Sequence, residues 1–173
     1  MNLADNDFAL FQLPLHFSLD LGSLERARQA LQLRCHPDRF VGQGEAAQRL
    51  AMQWSVRINE AYARLRSPLS RAVYLCQLAG HDPQQTGSAA MPAELLMQHM
   101  QWREQLDEAL GQAGALQTLH DEVQTDQQRR WHEVAEALDS QPPQAQRAAE
   151  QVRALMFVEK LMAEISQQQE ATA

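Results

Sequence analysis

The stretch Arg34-Cys35-His36-Pro37-Asp38-Arg39-Phe40 separates two long helical patterns in this chain of 173 residues. Proline clashes with an α-region backbone on the residue before it, so a helix that runs in from about Leu21 must end near His36. Pro37 fixes its own φ and Asp38 can bond the backbone that follows it, which predicts a turn. The turn holds the His36 ring at its tip with a donor and an acceptor on offer. We therefore predict a recognition site and not a catalytic one.

Apolar residues recur at helical spacing on both sides of this turn. The helix before it has Asp20 or Ser23 as its candidate N-cap, and its stripe consists of Leu24, Ala27, Leu31 and Cys35. After a loop with Gly42 and Gly44, a second helix is predicted from about Glu45 to Arg66, with the stripe Ala47, Leu50, Ala51, Trp54, Ile58, Ala61, Tyr62 and Leu65. The two helices are expected to pair antiparallel through these stripes. A short apolar segment, Phe8 to Leu13, should dock on them as core.

Basic residues lie around the turn. Arg26, Arg28 and Arg34 precede it and Arg39 follows it. Arg26 is predicted to point away from the buried face of its helix, and Arg34 to lie at the flank of that face. Such a group can belong to the recognition site, or it can be an ordinary solvated helix face. The sequence leaves both interpretations open.

The turn-rich stretch from Gly80 to Pro92 predicts a connection between two domains. We place a first domain at residues 1–80, a linker at 81–91 and a second domain at 92–173. Three helical patterns follow the linker, at about 93–110, 115–139 and 143–168. They predict an antiparallel three-helix bundle. The whole chain is therefore expected to be all-α, with a helical hairpin followed by this bundle.

Composition supports this fold class and excludes several functions. Hydrophobic residues make up 45% of the chain and aromatic residues 6%, which favours a helical core over a β-sheet. A net charge of -7 argues against nucleic-acid binding. No stretch approaches the roughly 20 apolar residues of a membrane span, and the start lacks signal-peptide features. We expect a cytoplasmic protein that binds neither nucleic acid nor membrane.

Catalytic and metal sites are not predicted either. No nucleophile paired with a base and no phosphate-cradling glycine loop is evident, so an enzyme using His36 and Asp38 is a poor alternative. Cys35 and Cys76 lack ligand spacing, which argues against a zinc site or a disulfide framework. The other histidines are too scattered to predict a metal site; the positions considered are His36, His81, His99, His120 and His132. We expect no cofactor and no metal.

An apolar group lies on the wrong side of the first bundle helix. Its core face is predicted to hold Leu95, Trp102, Leu106 and Ala109. Leu96, Met97 and Met100 fall away from that face, beside Gln101, Glu104 and Glu108. In the last helix the core side is Leu155, Val158, Met162 and Ile165, and Phe157 again lies off it. This pattern predicts a protein-binding surface, although the bundle could instead bury a second face or receive the first domain there.

Several motifs carry a family resemblance. A helix, a His-Pro-Asp loop and a second helix, with basic residues leading in, resemble the J-domain of DnaK-type co-chaperones, as does the run Ile58-Asn59-Glu60-Ala61-Tyr62-Ala63-Arg64-Leu65. The run Pro68-Leu69-Ser70-Arg71-Ala72-Val73-Tyr74-Leu75 is similar to the Pro-x-x-Arg-Ala-x-Tyr-Leu signature of the HscB family of iron-sulfur cluster assembly. The opening from Phe8 to Pro14 resembles that family's Phe-x-Leu-Phe-x-Leu-Pro. The resemblance thus spans nearly the whole chain.

The resemblance implies two partners. One is a DnaK-type ATPase, HscA, whose hydrolysis would be stimulated through His36, Pro37, Asp38 and the adjoining Arg26, Arg28, Arg34 and Arg39. The other is the scaffold protein IscU, which would bind Leu96, Met97, Met100, Gln101, Glu104, Glu108 and Phe157. The alternative is a J-domain adaptor for a different client.

Three positions depart from the family pattern. Cys35 stands where an aromatic is common, Arg39 where lysine is frequent, and Gln101 where an acidic residue is frequent.

Overall fold

The computed structural model describes residues 2–40, 42, 44–85 and 93–172. Within these ranges the chain is helical and has no β-strand, which confirms the all-α prediction. The α-helices are α1 (Asp7–Leu10), α2 (Leu21–Cys35), α3 (Glu45–Arg66), α4 (Pro68–Leu78), α5 (Ala93–Ala109), α6 (Ala113–Asp139) and α7 (Ala145–Thr172), and a 3-10 helix, Pro37–Phe40, separates α2 from α3.

The chain divides into two compact units, one up to Leu75 and one from Cys76 onward, so that the division falls within α4. Residues 86–91 of the predicted linker lie outside the described ranges. The domain boundaries at 80 and 92 therefore stay a prediction.

In the first unit, α2 and α3 form the predicted antiparallel pair. The Asp20 side chain accepts from the backbone N–H groups of Gly22 and Ser23, so Asp20 is the N-cap of α2. Further along, Gln32 donates to Asn59 at 3.0 Å, while Arg28 lies over the Tyr62 ring, which fixes the opposite directions of the two helices.

The apolar stripes of this pair are largely buried, with one correction. The fully buried or nearly buried members are Leu24 and Leu31 of α2 and Ala51, Ile58, Ala61 and Leu65 of α3. Leu50 was predicted to belong to the α3 stripe, and the structure shows it exposed. It precedes Ala51 by one residue, so it lies about 100° around the helix from that buried position.

A buried carboxylate ties the short α1 to the rest of the first unit. Asp7 is fully buried, and its two oxygens lie 2.7 Å from the guanidinium groups of Arg57 and Arg64 on α3. Its backbone N–H donates to the Tyr74 hydroxyl of α4 at 3.0 Å. Because removing one partner of a buried ion pair typically costs about 3–5 kcal/mol, this contact is a main anchor of α1. The predicted docking of this segment is confirmed, with its apolar members Phe8, Leu10 and Phe11 buried.

The second unit is a three-helix bundle. Hydrogen bonds from Arg130 to Gln98 and from Trp102 to Glu122 set α5 antiparallel to α6. Bonds from Arg130 to Gln151 and from Gln169 to Gln117 set α6 antiparallel to α7. The core is contributed by all three helices and contains Trp102, Leu106, Ala109, Leu116, Leu119, Val123, Val158, Leu161 and Ile165.

Arg130 is a structural element of this bundle that the sequence patterns did not predict. The side chain is almost completely buried. It bonds the Asp126 carboxylate on its own helix, Gln151 of α7 at 3.0 Å and Gln98 of α5 at 3.3 Å. A buried guanidinium is tolerated only when its charge is paired and its donors are satisfied. Arg130 therefore fixes how α5 lies against the α6–α7 pair.

Candidate binding surfaces

The turn between α2 and α3 has the predicted position. Helix α2 ends at Cys35, and His36 has φ -61° and ψ 128°, an extended conformation that the following proline favours. The chain then enters the 3-10 helix, where the Arg39 N–H donates to the His36 carbonyl at 3.0 Å. The His-Pro-Asp sequence thus forms a tight turn at the end of α2.

The His36 side chain bonds within the turn. Its Nδ1 accepts a hydrogen bond from the Asp38 backbone N–H at 3.3 Å. The expected bond from the Asp38 side chain to the backbone after it stays a prediction. A neutral imidazole that accepts at Nδ1 carries its proton on Nε2. His36 and Asp38 are both exposed, so the turn offers the Nε2–H donor of His36 and the carboxylate of Asp38 to a partner.

Arg39 fastens the turn to the end of α2. Its Nη1 donates to the Leu33 carbonyl at 2.9 Å. The carbonyls of a last helical turn lack intrahelical partners, and a cation placed there also opposes the negative end of the helix dipole. One of the predicted chaperone-binding arginines therefore also shapes the turn.

Arg28 has structural contacts that the sequence did not predict. It forms a bidentate ion pair with Glu25, and its guanidinium lies 4.5 Å from the centre of the Tyr62 ring on α3. The hydrogen bonds from Arg28, and then from Tyr62, lower the pKa of Glu25 to about 2. Arg28 therefore joins α2 to α3 from a half-buried position.

The other two arginines of α2 are exposed. Arg26 donates to the Ser23 hydroxyl at 2.8 Å and lies near the capping Asp20. Arg34 lies one residue from the end of α2, beside the turn. The four predicted arginines are thus not one uniform face, and Arg34 is the most available charge next to His36.

On the second unit, the structure confirms most of the predicted core face of α5. Trp102, Leu106 and Ala109 are buried, whereas Leu95, also predicted there, is half-buried. The apolar residues off that face are exposed, with Leu96 at 50%, Met97 at 58% and Met100 at 62%. The core face of α5 is already packed, yet these large apolar side chains remain in contact with water. Such an exposed apolar group indicates an interaction surface. We call Leu96, Met97 and Met100, together with Phe157, the apolar patch.

Acidic residues border this patch. One open depression is lined by Met97, Met100, Gln101, Glu104, Asp107 and Glu108. Asp107 was not among the predicted site residues. It follows Glu104 by three positions and Met100 by seven, so the helical spacing that selected the others would also have selected it. Two methionine side chains and three carboxylates thus line the same depression.

Phe157 reaches the α5 helix from α7. Its ring is 43% exposed, and its centroid lies 5.6 Å from that of His99, with an interplanar angle of 73°. His99 neighbours Met100 and follows Leu96 by one helical turn. The structure thus brings Phe157 into contact with α5 beside the predicted site. The spacing of residues within α7 alone could not predict this contact.

A second α5–α7 contact lies one turn further along. Arg103 forms an ion pair with Glu164 at 2.7 Å. Partial burial, and next the positive charge of Arg103, lower the pKa of His99 below its ordinary value. His99 is therefore held in its neutral form between the two helices at pH 7.

The described residues contain no group of three or more His, Cys, Asp or Glu side chains arranged to hold a metal ion. Among the described helices, none combines the length and the hydropathy that a membrane span requires.

Burial raises the pKa of the Cys76 thiol to about 12, so this cysteine stays protonated.

Comparison with known proteins places this chain among co-chaperones. It is 45% identical over 170 residues to the Co-chaperone protein HscB homolog of Burkholderia thailandensis, covering 97% of this chain and 96% of that protein. It is 44% identical over 169 residues to the homolog of Paraburkholderia phymatum, covering 96% of this chain and 95% of that protein. A family model described as the HSCB C-terminal oligomerisation domain matches residues 91–166.

Solved structures agree with this assignment. Chaperone HscB from Vibrio cholerae superimposes with a TM-score of 0.82 at 32% identity, covering 98% of this chain and 100% of that one. The human co-chaperone protein HscB has the same fold, with a TM-score of 0.86 at 24% identity over 96% of this chain and 83% of that one. The helical hairpin with its His-Pro-Asp turn is accordingly a J-domain, and the three-helix bundle is the second domain. The chain belongs to the HscB family of co-chaperones.

Proposed function

We propose that this protein is a two-ended adaptor of iron-sulfur cluster assembly. Its J-domain stimulates the ATPase of the DnaK-type chaperone HscA, and its bundle brings the scaffold protein IscU to that chaperone in the cytoplasm. The observation that carries the proposal is the turn at the end of α2, with the exposed side chains of His36 and Asp38, in a chain of the HscB family. The protein itself performs no catalysis, and ATP is the ligand of its partner.

The J-domain end suits an acidic and hydrogen-bonding partner. His36 offers a donor at Nε2, and Arg34 supplies an exposed positive charge next to it. Arg26 extends the positive charge along α2. Charged groups of this kind steer the encounter and fix its orientation, and the hydrogen bond from the Asp38 N–H to Nδ1 orients the His36 ring.

The bundle end suits a partner with an apolar contact and basic side chains around it. The apolar patch supplies the area, and Glu104, Asp107 and Glu108 supply the complementary charge. Methionine is unbranched and polarisable, so Met97 and Met100 can adapt to a partner that changes shape. Gln101 contributes a hydrogen-bonding amide at this border where a charge is frequent in the family.

Holding both partners on one chain raises the effective concentration of scaffold at the chaperone. The expected consequence is synergy. The steady-state ATPase rate of HscA should rise modestly with this protein or with IscU alone, and by more than the sum of the two when both are added. A rate that is merely additive would contradict the adaptor model. No stimulation by this protein under any condition would remove its J-domain function.

A further inference from the structure

The exposed ring of Phe157 is held by one aromatic neighbour. Phe157 projects from α7 with 43% of its surface exposed, and the His99 ring of α5 meets it at 73° and 5.6 Å between centroids. This edge-to-face arrangement is a favoured geometry for aromatic pairs. His99 therefore contacts a side chain of which nearly half remains exposed.

His99 lies where α5 meets α7. Together with Leu95, Trp102, Ala154, Phe157 and Val158 it lines a small space within the bundle. One turn along α5 from His99, Arg103 forms an ion pair with Glu164 of α7. His99 therefore lies at the contact between these two helices, directly beside Phe157.

We propose that His99 is a positioning residue for partner binding, which holds the Phe157 ring so that α5 and α7 present a single surface. The inference rests on the proposed function, because it requires that Phe157 contact the scaffold. His99 acts through Phe157 and needs no contact of its own with the partner. It was not among the residues that the sequence assigned to this surface.

Preorganisation is the physical reason. An exposed phenylalanine without a neighbour samples several rotamers, and binding must then select one of them. Immobilising such a side chain reduces affinity by about three- to tenfold. With His99 in place, that ordering is already present in the free protein, because the His99 ring contacts the Phe157 ring before any partner binds.

The test is a double-mutant cycle measured as the dissociation constant for cluster-free IscU by calorimetry. The single variants are His99→Gln, which keeps a polar side chain without a ring, His99→Phe, which keeps the ring, and Phe157→Ala. The double variant combines His99→Gln with Phe157→Ala. His132→Gln is the matched control, because His132 is exposed on α6 and pairs with Glu136 on its own helix. Circular dichroism checks that each variant is folded.

The expected results are specific. His99→Gln should weaken binding by about three- to tenfold, His99→Phe should bind as the wild type does, and His132→Gln should change nothing. In the Phe157→Ala background, His99→Gln should have no further effect.

Other outcomes overturn distinct statements. Additive losses in the double variant would mean that His99 acts independently of Phe157, which overturns the positioning role. Wild-type affinity of His99→Gln beside a weakened Phe157→Ala would also overturn it, while leaving the scaffold surface intact. Wild-type affinity of Phe157→Ala would overturn the proposed surface and the inference with it.

Discussion

The two candidate binding surfaces of this protein are built in opposite ways. The His-Pro-Asp turn is one continuous segment, shaped by proline stereochemistry and a few local hydrogen bonds. The apolar patch joins residues of α5 to Phe157 of α7, which are distant in sequence and meet through bundle packing. A site fixed by local rules can be read from a few consecutive residues, whereas a site assembled from two helices depends on the register of those helices. Substitutions at the two surfaces should therefore have different effects on partner binding and on stability.

The largest expected effect is at the turn. His36→Gln should abolish stimulation of the HscA ATPase, because glutamine does not reproduce the rigid ring donor that the turn presents. The helical content and the affinity for IscU should be unchanged, since His36 is exposed and makes only local contacts. The steady-state ATPase rate measures the loss, with His132→Gln, at another exposed histidine, as the control. If His36→Gln unfolds the J-domain, His36 is a structural residue.

The next effect is at the apolar patch. The triple variant Leu96→Ala, Met100→Ala and Phe157→Ala should lower the affinity for IscU by about a hundredfold, because each truncated contact residue costs on the order of 1 kcal/mol. Stimulation of HscA without scaffold should remain. Calorimetry gives the affinity. A control with Met52→Ala and Val56→Ala, two exposed apolar residues of α3, should bind normally. Undiminished binding by the triple variant would place the scaffold surface elsewhere.

The acidic border should have a smaller effect that depends on salt. Glu104→Gln with Glu108→Gln should weaken IscU binding by about two- to fivefold at low ionic strength, mainly through a slower association rate. Raising the salt concentration should erase the difference, because exposed charges are screened. Stopped-flow association kinetics at two ionic strengths test this, with Glu150→Gln and Glu170→Gln of α7 as exposed controls. A difference that persists at high salt would indicate a role other than charge.

The arginines of α2 should separate into two classes. Arg34→Ala should weaken HscA binding by about two- to fivefold with unchanged thermal stability, because its charge is exposed. Arg28→Ala and Arg28→Lys should both lower the melting temperature, since lysine cannot reproduce the bidentate Glu25 pair and the stacking on Tyr62. Differential scanning calorimetry and HscA affinity distinguish these effects. If Arg28→Lys keeps the melting temperature and the HscA affinity of the wild type, Arg28 contributes through its charge alone.

The smallest expected effect is a pH dependence at the patch. The pKa of His99 is lowered by burial and by Arg103 and Lys160, against the opposing Glu164. The unfolded chain therefore takes up the proton more readily, so this contribution to stability is full above pH 6.5 and is lost as the pH falls through the lowered value. Melting curves of His99→Phe should consequently lose less stability on acidification than those of the wild type. Equal pH slopes would show that His99 is not desolvated.

Much of the fold followed from the residues alone. Helical spacing predicted α2, α3 and the three bundle helices to within a few residues, because each has a continuous apolar stripe and a turn signal at its end. Several boundaries differed. Helix α6 begins at Ala113, since Gly111, with φ +75°, already ends the preceding turn and Gly114 fits within the helix. Helix α7 runs from Ala145 to Thr172, whereas about 143 to 168 was predicted.

The site residues were predictable to different degrees. The predicted exposure was confirmed for Leu96, Met97, Met100 and Phe157. The helical spacing of α5 could also have predicted Asp107. The roles of Arg28 and His99 were not predictable. Their contacts with Tyr62 and Phe157 join different helices, and single-helix periodicity carries no information about which side chains meet across an interface.

The sequence by itself determined the helical pattern and the His-Pro-Asp turn, together with the exposed apolar residues of α5, because these depend on local sterics and periodicity. Only the tertiary structure decided that Arg28 supports the J-domain hairpin and that Arg130 can be buried with its donors satisfied. It also decided that Phe157 lies against His99. The physical reason is that such contacts depend on the rotation and register of one helix against another, which are set by the packing of the whole core.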